Sequence, residues 1–206
     1  MNNDMVTADI VSDDTLSKKN LKTVYDWLDS IVVSVITVII LFAFVFRVVG
    51  IVGHSMNNTL NHEDRIVIFN LFYTPKQGDV VVVSRNVSNS VANETTGNEP
   101  IIKRVIATAG QEVNIKYDAN GVGHVFVDGE QYGDSYIKED MYDVFIQNPV
   151  SFPQTVPEGH IFVLGDNRNN SLDSRSADIG NNGMIDTRYV MGKALFRFIP
   201  RVSVIK

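Results

Sequence analysis

The chain has 206 residues, 44% hydrophobic and 20% charged, with a mean hydropathy of +0.01, which is apolar surface enough for a core and excludes a wholly disordered chain. Its 18 basic and 24 acidic residues leave a net charge of -6, a balance that argues against a general nucleic-acid binder. With no cysteine there is no disulfide, thiolate metal site or cysteine nucleophile, and the four histidines (His54, His62, His124, His160) lack close ligand spacing, so neither metal nor cofactor is expected.

Residues 1–26 are mostly polar, with Asp4, Asp9, Asp13 and Asp14 followed by Lys18, Lys19 and Lys22, and read as a flexible tail. From Ser30 to Phe46 run 17 residues without a charge. At ~1.5 Å per residue they cover about 26 Å, slightly under the hydrocarbon core of a bilayer. Trp27 and Tyr25 lie where an aromatic belt would sit, and Val48–Val52 extends the run if Arg47 snorkels, giving a membrane anchor over residues 27–49. The stretch is apolar all round, unlike an amphipathic core helix, and longer than the apolar part of a cleaved secretory signal. Lys18, Lys19 and Lys22 precede the span and Arg47 alone closely follows it. That bias puts the N-terminus in the cytoplasm and residues 50–206 outside, in a single-pass protein of the cell membrane.

Past the anchor the apolar period becomes short and β-like. Ile66–Phe69, Val80–Val83, Ile101–Ala107, Val113–Tyr117, His124–Val127, Ile161–Leu164 and Ala194–Ile199 read as strands, rich in Val, Ile and Phe and bounded by Gly, Asp, Asn and Pro. Residues 85–100 are polar and turn-rich, and read as a mobile loop. The expected class is mainly β behind one apolar helix.

Three segments carry candidate chemistry. Ser55 lies just past the anchor in Gly53-His54-Ser55-Met56; His54 is a poor base for it, because neighbours on an extended chain point to opposite faces. Lys103 is embedded in Ile101-Ile102-Lys103-Arg104-Val105-Ile106. Facing inward, it would lose charge by desolvation and could serve as a general base. Facing outward, it would leave Arg104 to turn inward to an acid, and periodicity favours neither. Gly165–Arg175 (Gly-Asp-Asn-Arg-Asn-Asn-Ser-Leu-Asp-Ser-Arg) holds a density of acids, bases and amides that a floppy loop does not need, and that can bond internally into a rigid corner.

In this order, behind an N-terminal span, these segments resemble the bacterial type I signal peptidases, of Gram-positive kind. The resemblance rests on Ser55-Met56…Thr59-Leu60, Gly78–Val82, Lys103–Ile106, Gly165–Arg175 and Gly192–Phe198, and covers nearly the whole chain from the anchor onward. Asn58 stands where the family usually has proline, and Ser176-Ala177-Asp178 where it often has aromatics. Gly53 stands where some members carry an oxyanion-binding serine, which leaves the oxyanion to backbone N–H groups.

The resemblance implies an antiparallel β catalytic core with a small β cap, about residues 112–158. It implies a membrane-bound serine endopeptidase that removes signal peptides from exported preproteins, with those preproteins and the lipid bilayer as partners. Ser55 would be the nucleophile and Lys103 the base, with Ser171 orienting the amine. Asp166 would pair with Arg104 and Asp173 with Arg175, and Val49, Ile51, Met56, Leu60 and Ile102 would line substrate pockets.

Rival readings are weaker. A self-cleaving repressor would need a DNA-binding domain. A penicillin-binding enzyme would use Ser-x-x-Lys, which Ser135-Tyr136-Ile137-Lys138 matches, but the Lys-Thr-Gly partner is absent. A non-enzymatic or specialised signal-peptidase-like factor for surface-protein or pilus assembly stays open as the alternative; some relatives have lost the dyad, and the presence of both Ser55 and Lys103 lowers that reading without excluding it.

The orientation is testable. Protease added to intact protoplasts should digest residues 50–206; full protection of that domain would overturn the assignment.

Overall fold

The computed structural model describes residues 3–84, 100–133, 135–142 and 146–205, with side chains from residue 21 onward; most of the polar segment 85–100 lies outside them. The chain separates into two compact units, residues 1–44 and 45–206.

The first unit is helix α1, Asn3–Val45. The sequence has neither glycine nor proline before Gly50, so nothing breaks the helix where the polar residues give way to apolar ones. The segment 3–26, expected as a flexible tail, therefore continues the helix. Leu21–Val45 is long and apolar enough to cross a membrane.

The apolar run does not end as a helix. Phe46–Gly50 forms strand β1, so the expected span to residue 49 stops at Val45. Strand pairing captures these residues: β1 lies antiparallel to β2 (Arg65–Phe69), Phe46 opposite Phe69 and Gly50 opposite Arg65.

The remaining strands are β3 (Val80–Val83), β4 (Ile101–Thr108), β5 (Glu112–Tyr117), β6 (Val122–Val127), β7 (Glu130–Gln131), β8 (Met141–Tyr142), β9 (Gln154–Thr155), β10 (His160–Leu164), β11 (Ile185–Asp186), β12 (Val190–Ile199) and β13 (Ser203–Val204). All seven expected strands are present, and the mainly antiparallel β class holds. Among the described residues the strands form two sheets. The larger has the order β1-β2-β12-β3-β4-β10-β11, with β13 on β12; the smaller is β7-β6-β5-β9, with β8 on β6. The smaller sheet comes from residues 112–155, inserted between β4 and β10.

Val80–Val83 shows why the centre of the large sheet reads as a continuous apolar run. All four valines are buried, since Val80 and Val82 enter one core cluster with Met56 and Leu60, while Val81 and Val83 enter another with Ile161, Val163 and Ile185. A third cluster joins Ile106, Phe162 and Leu164 of the large sheet to Val113, Val125 and Val127 of the small one. This apolar seam ties the two sheets together.

Phe162 is fully buried in that seam and meets Phe152 edge-on, ring centroids 5.9 Å apart. Phe162→Ala should therefore cost about 3–5 kcal/mol, read from denaturant unfolding of the detergent-solubilised chain; a loss below ~1 kcal/mol would mean that the seam does not hold the sheets together.

Candidate active site

Ser55 sits in the turn between β1 and β2. The ends of that turn are clamped by Ile51 N–H donating to Asp64 O at 2.8 Å and Glu63 N–H donating to Ile51 O at 2.9 Å. Its middle is pinned by Met56 and Leu60, both buried in the cluster beneath. Gly53 has φ +99°, a left-handed conformation that a side chain would strain, and it brings the chain round to Ser55. Ser55 is held at the edge of the core, half-exposed, rather than on a free loop.

Lys103 comes from β4, opposite Val81, and Arg104 lies opposite Val80. The choice between them dissolves, because both are buried, at 3% and 2% exposure. Lys103 Nζ lies 2.8 Å from Ser55 Oγ and donates to Ile102 O at 2.9 Å. Burial pushes the amine down from its ordinary value to about 8, against the pull of Asp173 and Asp166, whose charges favour the ammonium.

The third segment follows β10 and folds into a dry polar corner. Asp166, fully buried, takes a two-pronged grip from Arg104 (Nε to Oδ1 2.9 Å, Nη2 to Oδ2 2.7 Å) and accepts from Thr59 Oγ1 at 2.5 Å. Arg104 also donates to Gly78 O at 2.8 Å and lies 4.0 Å from the centre of the Tyr136 ring. One carboxylate thereby ties the lysine strand to the serine turn. Burial alone would raise the Asp173 carboxyl, yet it lies below its usual range because Arg175 grips it (Nε to Oδ1 2.8 Å, Nη2 to Oδ2 3.0 Å) and Gly165 N–H donates to it at 3.1 Å. Arg175 also donates to Arg168 O at 2.6 Å, closing the segment on itself. At Gly165 a Cβ would collide with Ser171 Oγ and the Ser55 carbonyl oxygen, so only glycine allows the corner to approach the serine this closely.

One expected contact differs. Ser171 is brought to the site, but Lys103 Nζ bonds Ser55 and Ile102 instead, and the Ser171 side chain acts on the Asp173 carboxylate, helping to lower its pKa. The amine reaches the carbonyl of the residue beside it before it reaches a hydroxyl on the corner. Val49, Ile51, Met56, Leu60 and Ile102 do converge in one cluster. Ile51, Met56, Leu60 and Ile102 are all buried there, Leu60 and Met56 most deeply, packed with Ile66, Ile68 and Val80 beneath the turn.

Three polar partners escaped the sequence reading. Thr59 grips Asp166, Tyr136 stacks on Arg104, and Asn167 bonds the backbone of the serine turn. Asn167 lay in view within the motif, but its direction across the fold is not encoded locally. Among the described residues no group of three or more His, Asp or Glu is placed to hold a metal ion.

Residues 24–199 match the family model described as signal peptidase, peptidase S26. A signal peptidase I of Bacillus licheniformis is 29% identical over 89% of this chain and 92% of its own length. A probable signal peptidase I-1 of Synechocystis sp. is 34% identical over 82% of this chain and 80% of its own. A solved signal peptidase I from Enterococcus faecalis V583 aligns with a TM-score of 0.40 and 24% identity, covering 60% of this chain and 98% of that one.

Burying Lys103 at an amine pKa of about 8 has a thermodynamic signature. The unfolded amine holds its proton up to about pH 10.4. Between those values the unfolded state binds more protons, so stability rises with pH. Across the window the gain is about 3 kcal/mol. Lys103→Met should be more stable than wild type at pH 7 and should lack this rise. Denaturant midpoints of the two proteins at pH 7 and pH 10 test this, and an equal response to pH in both would show that the amine is not desolvated.

Proposed function

The chain belongs to the signal peptidase, peptidase S26, family, and on that footing we propose that it cleaves N-terminal signal peptides from exported preproteins with Ser55 as nucleophile and Lys103 as general base. The observation that carries the reading is the 2.8 Å contact between Lys103 Nζ and Ser55 Oγ, made by an amine whose burial lowers its pKa to about 8. An unshifted lysine would offer about one neutral amine in several thousand at pH 7; a value near 8 offers about one in ten.

The reaction runs in two halves. Neutral Lys103 takes the Ser55 hydroxyl proton as Oγ attacks the scissile carbonyl, and the charge that develops on oxygen is met by backbone N–H groups, including that of Ser55. Such a donor is typically worth ~3 kcal/mol. The ammonium then gives its proton to the departing amine of the mature protein, leaving the signal peptide as an ester on Ser55. Water, deprotonated by the same amine, hydrolyses that ester and regenerates the dyad. Asp166–Arg104 and Asp173–Arg175 brace the two strands and the turn that hold these atoms. The substrate would lie extended along the chain leading into Ser55, pairing by backbone hydrogen bonds, with side chains toward Val49, Ile51 and Ile102.

Leu21–Val45 would anchor the enzyme, with the N-terminus cytoplasmic and the β domain on the outer face, where exported chains arrive. Only a short strand and a turn separate the end of that helix from Ser55.

Cleavage of a preprotein by the detergent-solubilised chain is the direct test. Ser55→Ala and Lys103→Met should each abolish turnover while remaining folded, and Lys103→Arg should fail too, because a guanidinium stays charged. Wild-type kcat/KM should climb with pH along a limb centred near 8 and level off above it. Substantial turnover by folded Lys103→Met would assign the base to another group.

A further inference from the structure

Asn167 occupies the position just before the helical turn Arg168–Asn170, where an asparagine side chain ordinarily turns back to cap its own helix. Here it makes no such cap. Its amide is 2% exposed, and Nδ2 instead donates to His54 O at 3.0 Å, while the Asn167 backbone N–H donates to Ser55 O at 3.0 Å. One residue of the corner thus holds two successive carbonyls of the serine turn. The arrangement has a cost, since Asn167 Oδ1 is left buried without a partner.

The two carbonyls belong to the peptide units 54–55 and 55–56, neither of which is cis. In a planar trans peptide the N–H points opposite to the C=O. Fixing His54 O therefore fixes the Ser55 N–H, and fixing Ser55 O fixes the Met56 N–H. Among the described residues neither of these N–H groups donates a hydrogen bond within the protein. The Ser55 N–H is thus held in direction and left vacant.

We infer that Asn167 is a positioning residue for transition-state stabilisation: by holding the His54 and Ser55 carbonyls it aims the Ser55 N–H at the oxygen that becomes negative when Ser55 attacks. It touches neither substrate nor reacting atoms. This role presupposes Ser55 as the nucleophile. It predicts a defect confined to the tetrahedral state, because the amide holds the backbone and makes no hydrogen bond to Lys103 or Ser55 Oγ.

The test uses the full chain in detergent, with Asn167→Ala and Asn167→Leu beside wild type and Ser55→Ala. Asn167→Leu keeps roughly the side-chain shape, the backbone donor and a neutral side chain while losing the Nδ2 donor, so it reports even if the alanine variant folds poorly. Both variants should lose about tenfold to a hundredfold in kcat, less than removing an oxyanion donor outright, with KM within about twofold and the pH midpoint unmoved. A signal-peptide aldehyde, which forms a tetrahedral adduct with Ser55, should lose affinity by the same factor as kcat/KM; the corresponding peptide alcohol, which forms none, should bind as before. Wild-type kcat in Asn167→Leu would overturn the role. So would parallel weakening of aldehyde and alcohol, which would mark a general loosening of the turn. Turnover by Ser55→Ala would instead overturn the Ser55/Lys103 dyad, and this role with it.

Discussion

Everything at the site depends on keeping one lysine amine dry beside one hydroxyl. A Lys103 side chain in water would be an ammonium, unable to accept a proton, and the 2.8 Å contact to Ser55 would be an ordinary solvated hydrogen bond. Burial is what changes its chemistry, and burial of a lysine is unfavourable unless the surrounding fold is stable enough to bear it. Much of the architecture answers that demand. The all-buried β3 lies beside β4, apolar clusters fill both faces of the large sheet, and the smaller sheet is sealed to it through Phe162 and Leu164.

Much of this is legible in the residues, and the parts that are not have definite reasons. The long strands declare themselves because their period and composition are local properties; Val80–Val83 and Ile101–Thr108 need no knowledge of their neighbours. The short strands β7, β8, β9, β11 and β13, two residues each, carry no period at all and exist only because a partner strand is there. Strand β1 is invisible for the opposite reason: Phe46–Gly50 continues an apolar run, and only pairing with Arg65–Phe69 turns it from helix to strand. The polar segment 3–26 misled in the same way, since polarity suggests disorder while the absence of glycine and proline permits helix.

The site divides along similar lines. Lys103 and the acidic and basic members of Gly165–Arg175 stand out because each is chemically odd in its setting, a charge in an apolar strand or a crowd of polar groups after one, whereas Ser55 is a weak signal by itself and is singled out by the resemblance. The direction of a side chain across the fold is not encoded in this way. Whether Lys103 reaches Ser171 or the carbonyl of Ile102 is settled by a rotamer, and the bonds from Asn167 to His54 and Ser55 span more than half the chain. Such contacts emerge only when strands from distant parts of the sequence fix their distances to one another.

The two buried ion pairs look at first like structural rivets, but their larger consequence is electrostatic. Asp173 and Asp166 are the charges that favour the ammonium form of Lys103, and Arg175 is the charge that opposes it. An acidic corner without its arginines would favour the ammonium form of Lys103, and a corner without acids would lose the acceptors for Arg104, Thr59 and Gly165 that close it. Pairing Asp166 with Arg104 and Asp173 with Arg175 lets the carboxylates organise the backbone, while Arg175 offsets part of their pull on the amine and burial supplies the larger downward push. Replacing the pairs with apolar residues of equal volume would remove a desolvation cost, yet it would also remove the acceptors for Gly165 N–H and Thr59 Oγ1 that hold the corner against the serine turn. The charges persist in the core because the corner must be rigid and nearly neutral at once, and opposed pairs provide both.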